Sequence, residues 1–416
     1  MSNKNMEFKD SQIAWIGQIP KHWEVKRLKF IIENSISGEV IDKGYWNSGN
    51  EFLYTCQKEP IFSDFDKFPK NKRTKGNCLL LTRNATPYIF IPKDNAIFSN
   101  VVQKIILFKK YDKRYIKYSI QIGANSLLVN GDIIPSYNMQ VWNNIYFCDI
   151  PLDEQEKIAE FLDKKCEIID KRLSNLERKI KSLKEYKKSL ISECVTKGLN
   201  PKNREFKDSQ IPWIGQIPKH WEVKRLKYIT DYNTETLSEN TSEDYEFDYV
   251  DIGSVTYENG IEQLQHLKFK NAPSRARRIV KKDDVILSTV RTYLKATASI
   301  PENNHPIIVS TGFITFRAKT QILSQYLKYA IQCDVFISDV ESRSVGISYP
   351  AITSTEVMQM KILVPPLNEQ KEIAEFLDKK CEKIDRLNEN YTKQITTLKE
   401  YKKSLIYECV TGKKEI

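Results

Sequence analysis

The residues of this 416-residue chain best equipped for chemistry are cations and amides set in short polar runs between apolar segments. In the first half, Lys70-Asn-Lys-Arg-Thr-Lys75 is the densest basic run, contributing Lys72, Arg73 and Lys75. Arg83-Asn84 follows an apolar run, and Asn130-Gly-Asp-Ile-Ile-Pro-Ser-Tyr137 is a third polar stretch, ending in Tyr137. The second half repeats the arrangement. It has Arg275, Arg277 and Arg278 in Ser274-Arg-Ala-Arg-Arg278, then Arg291, Tyr293 and Lys295, then Arg343 and Tyr349 in Ser342-Arg-Ser-Val-Gly-Ile-Ser-Tyr349. Lys and Arg neutralise phosphates, and Arg, Asn, Ser and Thr hydrogen-bond base edges, so these runs carry the donor chemistry of nucleic-acid contact. A basic run alone is usually a solvated face. Its recurrence at matching places in both halves favours contact.

Other chemistries lack their signatures. There is no Gly-x-Gly nucleotide loop and no Gly-x-x-x-x-Gly-Lys-Ser/Thr. The Pro365-Pro366 pair, between Val364 and Leu367, is not the Asn/Asp-Pro-Pro-Tyr/Phe run of amino-methyltransferases. Asp153-Glu-Gln-Glu-Lys157 opens a helix, where acids suit the dipole. His22 and His220 read as structural, and His266 and His305 as isolated. The eight cysteines form no Cys-x-x-Cys pair and have no histidine spaced for zinc. The reading is a non-catalytic chain without a metal. Its 65 Lys and Arg exceed 54 Asp and Glu, leaving +11 and favouring a polyanionic partner. The polar N-terminus and the lack of a long apolar run lead us to expect a cytoplasmic protein with reduced thiols.

The elements that would position these residues are duplicated. Residues 7–29 match 205–227 at every position but Ala14/Pro212. A long charged helix, read over about residues 154–196, recurs from Pro366. Bringing the termini together rebuilds the centre of the chain. At heptad spacing Leu162, Ile169, Leu176, Leu183 and Leu190 form one row, and Cys166, Leu173, Ile180, Lys187 and Cys194 another. The second copy gives Leu377, Ile384, Tyr391, Leu398 and Leu405 beside Cys381, Asn388, Ile395, Lys402 and Cys409. Such stripes predict a coiled coil, with the two copies pairing antiparallel and related by a pseudo-two-fold axis. Lys187 and Lys402 fall at one polar seam position, which would fix register. The paired tryptophans Trp15/Trp213 and Trp23/Trp221 read as packing anchors, not base stackers.

Between the repeats lie two mixed segments with short β-like runs, 31–150 and 229–365. Cys78-Leu-Leu-Leu-Thr82 aligns with Val285-Ile-Leu-Ser-Thr289 at an offset of 207, and Gly131 and Pro135 with Gly346 and Pro350 at 215. They read as diverged copies of one domain. The expected architecture is α+β: two mixed α/β domains separated by a pair of long antiparallel coiled-coil helices. Its segments are 1–150, a helix at 151–200, 201–365 and a helix at 366–416.

The lead-in Trp-Ile-Gly-Gln-Ile-Pro-Lys-His-Trp-Glu-Val-Lys-Arg-Leu-Lys and the helix opening Pro-Pro-Leu-Asn-Glu-Gln-Lys-Glu-Ile-Ala-Glu-Phe-Leu-Asp at 365–378 resemble the repeats of type I restriction–modification specificity subunits, over essentially the whole chain. The resemblance implies that each variable domain is a target-recognition domain reading half of a bipartite, non-palindromic site on double-stranded DNA. It implies that the helices set the gap and dock two methyltransferase subunits, joined by restriction/translocase subunits. S-adenosylmethionine and ATP with Mg would be bound by those partners, not here. The competing readings are a stand-alone enzyme, disfavoured by the missing cofactor motifs, and a coiled-coil protein adaptor without DNA binding, disfavoured by the paired basic runs.

Overall fold

The computed structural model describes residues 7–84, 86–126, 136–201, 204–211 and 213–416. Residues 130–135 of the third polar run, with Gly131 and Pro135, lie outside them, as does Pro212. The chain divides into two compact units. Unit 1 holds residues 1–177 and 392–416, and unit 2 holds 178–391. The cut falls within the two long helices, Leu152–Lys197 and Leu367–Val410, so each unit owns one head and a piece of each helix.

In unit 1 a four-stranded antiparallel sheet runs in the order Ile32–Ser37, Val102–Leu107, Cys78–Thr82, Ile89–Phe90. The apolar run 78–82 does not alternate because it is buried on both faces. Leu79 and Leu81 join a core with the helix Lys113–Ser126, while Leu80 joins a second core with Leu53, Ile97 and Phe98. That second core is closed by the strands Ile61–Ser63, Trp46–Tyr54 and Ile97–Phe98.

Unit 2 repeats the plan around Thr230–Tyr232, Phe313–Ala318, Val285–Ser288 and Thr297–Ser299. Val285 and Leu287 face the helix-side core and Ile286 the other. Its second sheet is larger: Glu235–Thr236, Ala276–Val280, Ile307–Ser310, Glu246–Val250 and Gln265–Lys268.

The lead-in is a hairpin followed by a strand. Phe8–Asp10 pairs with Gln18–Pro20, and Phe206–Asp208 with Gln216–Pro218. Glu24–Arg27 then pairs with Tyr146–Asp149, and Glu222–Arg225 with Lys361–Val364. Both partner strands run straight into a long helix, so each lead-in is fixed beside a helix start.

Within each unit the helices pair antiparallel. In unit 1 Lys402 Nζ reaches both carboxylate oxygens of Asp170 at 2.7 Å, and Lys399 lies 3.9 Å from Glu177. In unit 2 Lys187 makes the equivalent bridge to Asp385 at 2.7 and 2.8 Å. The seam lysines thus face carboxylates of the opposite copy. Leu162, Ile169, Leu176, Leu377, Ile384 and Leu405 are buried, and Leu183, Leu190 and Leu398 half-buried. The predicted rejoining of the termini occurs inside unit 1, where Leu405, Cys409 and Val410 share a core with Ile16, Ile19 and Trp23. Among the described residues no helix is long and apolar enough to cross a membrane.

Candidate nucleic-acid interface

The heads are plugged into the frame by the same side chains twice. Gln155 and Gln370, the fourth residues of the two long helices, are buried. Gln155 Oε1 accepts from the Asp112 N–H at 2.9 Å, and Gln370 Oε1 from the Leu323 N–H at 2.8 Å. Their Nε2 groups donate 2.8 Å bonds to the carbonyls of Ile150 and Pro365. The preceding glutamates accept the lead-in indoles: Trp23 Nε1 donates to Glu154 and Trp221 Nε1 to Glu369, each at 3.0 Å. Glu154 and Glu369 therefore do more than suit the helix dipole. Two head tyrosines complete the plug. Tyr115 and Tyr326 donate to the carbonyls of Cys148 and Leu363, and Tyr118 and Tyr329 donate to Asp163 and Asp378 on the long helices.

In unit 2 this scaffold gathers three candidate segments into one region through a backbone ladder. The Arg275 carbonyl accepts from Thr311, the Gly312 carbonyl from Thr289, and the Thr289 carbonyl from Ile352. Val290 bridges Ala351, which also bridges Val345. The Arg291 guanidinium lies 5.1 Å from the Tyr349 ring centre, and both residues are exposed. Arg291 and Lys295 take left-handed φ of 51° and 52° on either side of the single turn Thr292–Leu294, a costly backbone for long side chains. Lys295 pairs with Glu341 at 3.0 Å and Arg343 with Asp339 at 2.7 Å. Arg275, Arg291 and Tyr293 are left facing solvent.

Unit 1 assembles its segments similarly. Asn84 bridges Ser136, and the Tyr137 N–H donates to the Arg83 carbonyl at 2.7 Å. Arg83 reaches the Asn100 carbonyl at 3.5 Å, and the Asn100 N–H donates to Glu39, whose carboxylate holds Lys72 at 2.5 Å. Arg73 pairs with Glu51 at 3.0 Å and donates to the Asn95 carbonyl. Beneath them Lys104, buried in its strand, donates to the carbonyls of Lys72 and Arg73. Burial lowers the Lys104 ammonium below its ordinary value. Lys75 and Asn84 are exposed.

Known proteins match the arrangement. The family described as "Type I restriction modification DNA specificity domain" matches residues 218–397. The type I restriction enzyme MjaVIII specificity subunit of Methanocaldococcus jannaschii is 25% identical over 421 residues, covering 97% of this chain and 93% of that protein. The chain is thus similar to type I restriction–modification specificity subunits over nearly its whole length. A second relative, the putative MjaX specificity subunit from the same organism, is 26% identical over 269 residues, 63% of this chain and 58% of that protein. Among solved structures, a chain from "Structural basis underlying complex assembly and conformational transition of the type I R-M system" shares the fold at a TM-score of 0.67 and 14% identity, covering 95% of this chain and 99% of that one.

The structure corrects several sequence expectations. Tyr137 is a core residue, 2% exposed and packed 5.7 Å from the Trp142 ring, so it is not available to a base. Of Ser274–Arg278 only Ser274 and Arg275 lie in a turn, since Ala276–Val280 is an inner strand. Arg277 lies over Phe269, and Arg278 is half-buried, its Nε without a partner among the described residues. Burial lowers the Arg278 pKa. Lys72 and Arg73 are committed to acids. Trp213 is half-exposed while its twin Trp15 packs against Gly123. His266 and His305 are not isolated: their rings lie 4.7 Å apart, and His266 bonds Asp248 at 2.9 Å. Burial raises the Asp248 pKa, but hydrogen bonds from Asn303 and His266 outweigh it and hold the carboxyl low. Burial pushes the Cys148, Cys194 and Cys409 thiols up to about 12, which keeps them protonated at neutral pH.

Sequence reading missed the plug residues. A signal for the tyrosines was present: Tyr-Ile-Lys-Tyr-Ser-Ile-Gln at 115–121 and Tyr-Leu-Lys-Tyr-Ala-Ile-Gln at 326–332 stand at an offset of 211, between 207 and 215.

Proposed function

We propose that this chain gives a type I restriction–modification complex its DNA specificity by reading a bipartite, non-palindromic site, one half per head. The observation that carries this reading is the contrast inside each unit. The plug joining head to helix is the same in both, while the exposed donors at the matching loop cluster differ: Lys75 and Asn84 in unit 1, Arg275, Arg291 and Tyr293 in unit 2. Identical mounts with different donor sets suit two half-sites of different sequence. The long helices, each contributing to both units, set the spacing and dock two methyltransferase subunits, which restriction/translocase subunits join. Methyl transfer to adenine, with S-adenosylmethionine, and ATP-driven steps with Mg take place on those partners, and the complex works in the cytoplasm.

The test is methylome sequencing of a host carrying the methylation partner, with and without this chain. A bipartite N6-methyladenine motif appearing only with the chain supports the reading, and an unchanged methylome refutes it. Four residues inserted near Thr196 should lengthen the gap and leave both half-sites intact.

A further inference from the structure

We propose that Ile347, at the tip of the loop 345–351, is an apolar wedge that enters the base stack of the half-site read by unit 2, with Val345 and Tyr349 packing beside it. This rests on the reading of that head as DNA-binding and adds a mode of contact, deformation of the duplex. Ile347 is 104% exposed, Val345 79% and Tyr349 66%. A fully exposed isoleucine adds no apolar burial to the fold.

The loop is nevertheless built. Val345 and Ala351 exchange both backbone bonds, the Val345 N–H to the Ala351 carbonyl at 2.9 Å and the reverse at 3.0 Å. Gly346 turns the chain at φ +119°, where a Cβ would come within 3.1 Å of the Tyr349 carbonyl. The Thr292 N–H donates to Pro350, and Val290 bridges Ala351. A closed hairpin thus holds apolar side chains in water at little further ordering cost on binding.

Its surroundings select the occupant. Arg291 stands over Tyr349, Arg343 ends the adjoining helix Asp334–Arg343, and Arg275 joins the same backbone ladder. An apolar tip among guanidinium groups complements an apolar base stack flanked by phosphates. Insertion of Ile, Leu or Phe at a base step unstacks and kinks a duplex in this way. A protein partner docking on this tip would have to meet the guanidinium groups with carboxylates.

The experiment uses the full chain with its methylation partner and the duplex found by methylation mapping, with 2-aminopurine placed in turn at each step of each half-site. Wild type and Ile347→Leu should raise the fluorescence at one step of a single half-site, and Ile347→Ser should abolish that rise and weaken specific binding by about tenfold or more. Unchanged thermal midpoints show that the fully exposed substitution leaves the fold intact. Equal affinity and equal unstacking by the serine variant overturn the wedge. Intact DNA binding with loss of the methyltransferase subunit overturns it in favour of protein docking. A wild-type complex that binds no duplex overturns the functional reading itself, and the wedge with it.

Discussion

Replacing Gln370 by leucine tests whether one amide holds the second head to its helix. The side chain is fully buried and makes three bonds: from the Leu323 N–H at 2.8 Å, and to the carbonyls of Pro365 at 2.8 Å and Gln321 at 3.1 Å. Leucine has a similar volume but answers none of them. Each backbone group left unpaired costs roughly 1–3 kcal/mol, partly offset by the added apolar burial, so we expect a net loss of about 3 kcal/mol. For a unit of this size that lowers the midpoint by about 6–12 °C. Scanning calorimetry of the full chain should show the loss in the transition assigned to unit 2. The twin substitution Gln155→Leu should cost less, about 2 kcal/mol, because its third bond, to the Lys110 carbonyl, is 3.5 Å long. A shift below about 1 °C for Gln370→Leu would refute the reasoning, since solvent would then be satisfying those groups.

The seam bridge Asp170–Lys402 is partly exposed, so a double-mutant cycle with Asp170→Asn and Lys402→Met in urea should give a coupling of only about 0.5–1 kcal/mol, with the swapped pair Asp170→Lys/Lys402→Asp restoring most of it. Burial raises the Glu369 carboxyl, but hydrogen bonds from Arg204, Trp221 and His220 outweigh it and hold the net pKa below the ordinary 4.5. The unfolded chain therefore binds the proton first as pH falls, so the stability Glu369 contributes is complete above 4.5 and lost as pH drops through the folded value. The difference between wild type and Glu369→Gln, followed by urea unfolding, should shrink towards acid, and a difference flat with pH would contradict the assignment. Arg291→Ala should relax specificity at one position of one half-site by about 1–3 kcal/mol, whereas Lys75→Ala should weaken all duplexes alike and reduce the salt slope by about 1.

The frame was legible because its signals are local or periodic. The heptad rows gave both long helices, and the near-identity of 7–29 and 205–227 gave the lead-ins. The double burial of Leu79, Leu80 and Leu81 made their strand readable as an unbroken apolar run. The site was less legible because exposure is decided by partners distant in sequence. Nothing near Lys72 reveals Glu39, and nothing near Arg73 reveals Glu51. Arg277 and Arg278 resemble Lys70–Lys75 in composition, yet they sit in a strand whose neighbour, Ile307–Ser310, lies some thirty residues on. Gln155 and Gln370 look like ordinary polar residues of a helix start, and only the fold shows that both amide ends are used.

The repeated plug sets a rule for exchanging heads. Between the two copies the head sequences diverge, but the tyrosine pair of Tyr115/Tyr118 and Tyr326/Tyr329 is kept, each pair spending one hydroxyl on the strand before the helix and one on the helix itself. The strand entering each long helix supplies one acceptor, the carbonyl of Cys148 or Leu363, and the helix supplies the other, the carboxylate of Asp163 or Asp378. A head transplanted into 31–150 should therefore seat correctly when its helix presents two tyrosines three residues apart, whatever its loops contain. Such a transplant should change one half of the methylated motif and leave the gap and the other half alone. Removing both hydroxyls, as Tyr115→Phe/Tyr118→Phe, should cost about 2–3 kcal/mol, because the Cys148 carbonyl loses its buried donor while Asp163, among the described residues, keeps Arg114 at 3.4 Å. The methylation pattern should keep its sequence and lose extent, since the loops that read bases are untouched. If heads lacking the tyrosine pair methylate as completely as heads that carry it, the plug is packing alone and the hydroxyls do not define the socket.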